Sequence, residues 1–203
     1  MPFFKRKPKE SEQPQNPDKP TRLSDWWKTT FTKDEQDYIL SKGIPLDAII
    51  EPSSPPARSF HPLAGYFSTS PDRPIARRFL EKVEESLKTD EVGVLDRHLA
   101  YSAMIPIYYS DRDTDPEALG LAIHACQRQI ALAVQAGAQW TAESPAPDSP
   151  LPSHRGFTQL AIIREKEENY TEAIKLSQDA LRQGWDGDWE KRITRCEKRM
   201  SKS

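Results

Sequence analysis

Between Tyr170 and Gln183 the residues Ala173, Ile174, Ser177, Ala180 and Leu181 recur three and four apart, which puts them on one face of an α-helix. Three of the five are alanine or serine, so the face admits a second helix at close range. Upstream, Phe157, Leu160, Ala161 and Ile163 repeat the spacing over 153–167, with Ser153 suited to cap the first turn. Glu168-Asn169 is short enough to fold one helix back on the other. Beyond Gly184, Trp185-Asp186-Gly187-Asp188 is turn chemistry, with glycines for positive φ and aspartates for capping. Trp189, Ile193, Cys196 and Met200 then form a single apolar stripe. Lys191, Arg192, Arg195, Lys198 and Arg199 lie largely off it, the pattern of a helix that closes a stack against water.

Upstream segments repeat the theme less regularly. Over 61–88, Leu63, Ala64 and Phe67 indicate a short helix, Ser70-Pro71-Asp72 a turn, and Ile75, Ala76, Phe79, Val83 and Leu87 a second helix. Over 95–137, Leu95, Leu99, Pro106 and Tyr109 share a face, with a bend expected at Pro106, where a hydrogen bond is deleted. Asp115-Pro116-Glu117 reads as a helix start, and Leu119, Ala122, Ile123, Cys126, Ile130, Ala133 and Val134 keep helical spacing to Gly137. Residues 138–153 hold four prolines and read as a long loop. Ala76, Ala118 and Ala173 are equivalent points at unequal intervals, so the units form no regular array.

Phe157, Leu160-Ala161, Tyr170, Ala173 and Ala180-Leu181, above all the string from Tyr170 to Leu176, resemble one tetratricopeptide repeat followed by its solvating helix. Arg164 stands where that family prefers an aromatic residue, and Trp185 where it prefers proline. The resemblance implies an all-α fold: an irregular stack of about three antiparallel helical hairpins with a C-terminal capping helix over 60–203. It also implies that the first helices line a groove holding a peptide of another protein. Carried over residue by residue, the groove positions are Arg155, Thr158, Ile162, Glu165 and Lys166 in the last unit. In the middle unit they are Ala100, Ala103, Ile107, Ser110 and Asp111. The alternative reading makes these ordinary surface and packing residues of a structural helical domain.

The N-terminal part differs in kind. Residues 1–22 are polar, basic at Lys5-Arg6-Lys7 and rich in proline, which predicts disorder and leaves room for contact with an anionic membrane surface. Over 23–59 a short aromatic helix carries Trp26, Trp27 and Phe31, Thr32 and Glu35 form a capping box, and Gly43 and Pro45 end the helix. The aromatic cluster is either a latch onto the main body or an exposed peptide-docking element. Prolines 45, 52, 55 and 56 describe an extended linker.

No catalytic assignment follows from the sequence. His61, His98, His124 and His154 are isolated along the chain, and no phosphate-binding glycine loop, zinc spacing or nucleophile elbow occurs. Asp111 to Asp115 alternates carboxylates as a calcium loop does, yet lacks the central glycine and distant glutamate. No cofactor or metal is expected. A net charge of −2 argues against a general nucleic-acid binder, although the basic tail and the closing helix offer positive surface to a membrane or nucleic acid. Cys126 and Cys196 read as buried apolar residues in a reducing compartment. With no apolar run long enough to span a bilayer, the expected location is cytoplasmic. The expected function is that of a non-catalytic adaptor.

Overall fold

The computed structural model describes residues 22–89, 91–144 and 150–202, which are mainly helical, with two very short strands. The chain divides into two units between Glu51 and Pro52, earlier than the boundary expected after residue 59. The tail expectation, residues 1–22, falls almost wholly outside the described residues. Among the described residues no helix is long and apolar enough to cross a membrane.

The first unit holds α1 (Leu23–Thr30), α2 (Lys33–Ser41) and α3 (Asp47–Ile50). Thr32 and Glu35 make the reciprocal capping box: the Thr32 side chain accepts from the Glu35 N–H at 3.3 Å, and the Glu35 carboxylate accepts from the Thr32 N–H at 2.9 Å. Gly43 ends α2 at φ +79°, a conformation that disfavours any side chain. Trp26 and Trp27 both pack on Phe31, with ring centroids 5.5 and 5.0 Å apart.

The second unit begins with α4 (Pro56–Tyr66) and α5 (Arg73–Ser86). The linker expected up to Ser59 therefore ends sooner. Pro56 occupies the first helical turn, where its missing N–H costs nothing, and Ala57, Phe60 and Ala64 bury one face. Next come α6 (Val94–Ser110) and α7 (Ala118–Ala131). The helix α6 runs through Pro106 without a break. Packed by α4, α5, α7 and α9, as well as α8 (Ala133–Glu143), α6 buries His98, Ala100, Tyr101, Met104, Ile105, Ile107 and Tyr108. Those residues occupy one half of the helix surface, and the stripe expected through Leu95, Leu99, Pro106 and Tyr109 lies on the opposite, less buried half. Asp115 accepts from the Glu117 N–H at 2.9 Å in a turn that precedes α7 rather than capping it.

The long helix expected up to Gly137 is interrupted at Leu132, and its second half, α8, leaves Val134 exposed. The loop expected over 138–153 accordingly starts late, because 138–143 complete α8. It also ends early, because Leu151–Ser153 form β1, which pairs in parallel with β2 (Trp185–Asp186). Gly137 backs this pairing: a Cβ there would meet the Leu151 side chain at 2.9 Å.

Three helices complete the unit: α9 (Arg155–Lys166), α10 (Tyr170–Arg182) and α11 (Trp189–Met200), with α10 packed on both neighbours. Asn169 caps α10 through its side-chain oxygen, 3.2 Å from the Glu172 N–H. The small face is present, for Ala173, Ser177 and Ala180 are fully buried. Leu176, however, fills the large apolar position, while Leu181 points out at 44% exposure. The cap of α9 is His154 and not Ser153, whose backbone belongs to β1.

Candidate functional site

The ten groove positions carried over from the sequence divide between two recesses and the scaffold. Ala103 and Ile107 of α6 and Arg155 at the start of α9 line one recess of about 570 Å³, together with Pro62 and Gly65 of α4 and Ser110. The small residues Gly65 and Ala103 leave the space open, whereas Ile107 is 1% exposed and contributes floor rather than reach. Arg155 is the one permanently charged residue in this lining. His61 stands in the same wall with Nδ1 2.8 Å from the Ala57 carbonyl, and burial holds its pKa below the ordinary value despite that carbonyl and Asp96.

Ile162, Glu165 and Lys166 sit elsewhere, on a second recess shared with α11. There Glu165 is engaged. Its carboxylate accepts from Arg195 Nε at 3.0 Å and Nη2 at 2.9 Å, and it also pairs with Arg192. Burial pushes the Glu165 carboxyl up, but the two guanidinium groups outweigh it and hold its pKa below the usual range. Lys166 Nζ donates to the Tyr109 hydroxyl at 3.0 Å, joining α9 to α6.

Asp111 and Thr158 join neither recess. Asp111 lies 2.5 Å from Arg73 Nε and 3.7 Å from Arg77, with its side chain 14% exposed, so it fastens the end of α6 to α5. Thr158 donates its hydroxyl to the His154 carbonyl at 3.1 Å within the first turn of α9. Both serve the scaffold. Ala100, carried over with the middle unit, is fully buried.

Sequence reasoning missed a buried polar cluster. His98 of α6, Gln129 of α7 and His154 are 5%, 1% and 0% exposed. Gln129 Oε1 accepts from the Gly156 N–H at 2.7 Å, which leaves its amide nitrogen, 3.2 Å from His98 Nε2, as the donor to that imidazole. His154 Nδ1 accepts from the Phe157 N–H at 3.2 Å. Each ring therefore carries its proton on the other nitrogen. Those two atoms, His98 Nδ1 and His154 Nε2, have no hydrogen-bond partner. Trp185 seals the pair, stacked on His98 (5.4 Å, 9°) and edge-on to His154 (4.7 Å).

Burial lowers the pKa of His98 to about 4, and burial together with the neighbouring His98 lowers that of His154 to about 3. Both are neutral at pH 7. Burial also raises the Cys126 thiol to about 12, which leaves it without thiolate character. Among the described residues no group of three or more histidine, cysteine, aspartate or glutamate side chains is placed to hold a metal. No spacing in the sequence announced the pair, because fifty-five intervening residues separate two histidines that meet only through the packing of α6 on α9. Compared with known proteins, the chain matches no family model, no curated protein and no solved structure.

Proposed function

We propose that this protein is a non-catalytic interaction module, an irregular stack of helical hairpins resembling tetratricopeptide repeats, which holds a segment of another protein between α4 and α6. The observation that carries this reading is the common recess of Ala103, Ile107 and Arg155, which the resemblance marks as groove positions in two different units. Its lining of alanine, glycine, serine and proline suits an extended chain with small side chains, and Arg155 suits one carboxylate on that chain. A volume of about 570 Å³ accommodates a few residues.

The test is affinity capture from a cell extract with wild-type protein, Arg155→Glu and Ala103→Phe, all confirmed folded by circular dichroism. A photo-cross-linker at Ser110 then identifies the bound segment. The expected outcome is one partner held by wild type, lost by both variants and cross-linked through a short stretch containing aspartate or glutamate. Equal capture by all three proteins, or cross-links to no continuous segment, rejects the groove.

A further inference from the structure

The outer face of α11 is strongly basic. Lys191, Arg195, Lys198 and Lys202 follow one another at three- and four-residue steps on a single side, beside Arg199 and Glu190, around a recess of about 550 Å³. A second recess, about 300 Å³, shares Arg195 and Arg199 and adds Lys166, Arg192 and Glu165 over an Ile162 floor. With Asp188, which pairs with Lys191, seven basic side chains thus meet three acidic ones, a surplus of four positive charges. The whole chain carries −2, so everything outside this face sums to −6.

We propose that this face, distinct from the recess between α4 and α6, docks a short acidic segment of a partner protein. Glu165 holds the Arg192 and Arg195 guanidinium groups in fixed directions, while the Arg195 side chain stays 45% exposed and Lys191, paired with Asp188 at 3.3 Å, stays 81% exposed, so both can still meet further carboxylates. From Lys191 to Lys202 the stripe is ~16 Å long, which matches about five residues of extended peptide. A nucleic-acid duplex or an anionic bilayer carries its charge over much greater lengths than this stripe and repels a chain whose net charge is −2. A short acidic segment meets the positive face alone.

The probe is a fluorescein-labelled octaglutamate peptide, titrated with the full chain at low and at physiological salt and read by anisotropy. Lys198→Gln with Lys202→Gln is compared with Lys28→Gln with Lys88→Gln, which removes the same charge elsewhere. Duplex DNA and phosphatidylserine vesicles form separate arms. The expected result is saturable peptide binding that weakens with salt, is about fivefold weaker in the first variant and is unchanged in the second. Arg155→Glu leaves it unaltered, which separates this face from the proposed groove. No peptide binding, or equal loss in both lysine pairs, overturns the site. Tighter binding of DNA or vesicles than of peptide, lost with Lys198 and Lys202, overturns the assignment of the partner.

Discussion

The imidazoles of His98 and His154 lie edge to face, 4.9 Å between centroids, in a space that Trp185 closes and Gln129 bridges. Each ring accepts one hydrogen bond and buries one unpartnered N–H. A second proton on either ring would place an uncompensated charge in this space. The pair is therefore a point where α6, α7 and α9 hold together only while both histidines stay neutral.

The sign of the pH effect follows from that. Both folded-state pKa values lie below the ordinary 6.5, at about 4 and about 3, so the unfolded chain binds protons that the folded chain refuses. Stability is full above pH 6.5 and is lost as pH falls toward the folded values. At pH 5 the loss is roughly 2 kcal/mol per histidine, about 4 kcal/mol for the pair. Urea unfolding at pH 7, 6 and 5 measures it. His154→Asn keeps a capping oxygen and should remove about half of the slope; an unchanged slope refutes the assignment.

Gly156 makes the same cluster sensitive to a single methyl group. A Cβ there would sit 2.9 Å from the Cys126 carbonyl, 2.9 Å from Gln129 Oε1 and 3.1 Å from the His154 ring. Backbone and buried side chains cannot yield, so Gly156→Ala should destabilise by about 1–3 kcal/mol. Gly120, exposed within α7, has nothing within 4 Å of its Cβ position, and Gly120→Ala should stabilise by up to about 1 kcal/mol. Paired thermal melts give the comparison, and shifts in the same direction would contradict it.

Trp185 contributes through packing. It is 3% exposed and touches both histidines, and its backbone pairs with β1. Trp185→Ala should cost about 3–5 kcal/mol, the range for removing a large buried aromatic side chain. A loss below 1 kcal/mol in urea unfolding would show that the site collapses without it.

The helices around α9, α10 and α11 were legible because each is apolar on one side, as with Ala173, Ser177 and Ala180 or Trp189 and Cys196. The central helix was not. Although five others pack on it, α6 buries only one half of its surface. The opposite half carries Leu95, Leu99, Pro106 and Tyr109, so with both halves apolar the sequence offers no contrast from which the buried face could be read. The groove residues divided for a related reason. Spacing assigns a residue to a helix face but says nothing of the partner already on it, such as Arg73 for Asp111 or Arg195 for Glu165. The histidine pair lay beyond reach altogether, since it exists only where α6, α7 and α9 converge. Trp185, noted as a departure from the repeat pattern, was the one trace of it.

Glu165 offers the remaining test of how the closing helix is held. Its carboxylate, 11% exposed, takes two hydrogen bonds from Arg195 and one from Arg192, the latter's side chain 13% exposed. Glu165→Gln keeps the shape but removes the charge that opposes two arginines, and Arg192 Nε is already buried without a partner. Charge-assisted hydrogen bonds of this kind contribute about 1.5–3 kcal/mol, so a loss of about 2 kcal/mol is expected at pH 7. Because the folded pKa is held below the ordinary carboxyl value, this contribution persists above that value and fades as pH falls through the folded one. The variant and wild type should therefore converge in stability at acid pH, measured by urea unfolding on a His154→Asn background to reduce the histidine slope. A double-mutant cycle with Arg195→Gln isolates the pair. If the two substitutions add without coupling, Arg195 does not help to hold α11, which leaves Arg192 and the burial of Trp189 and Cys196.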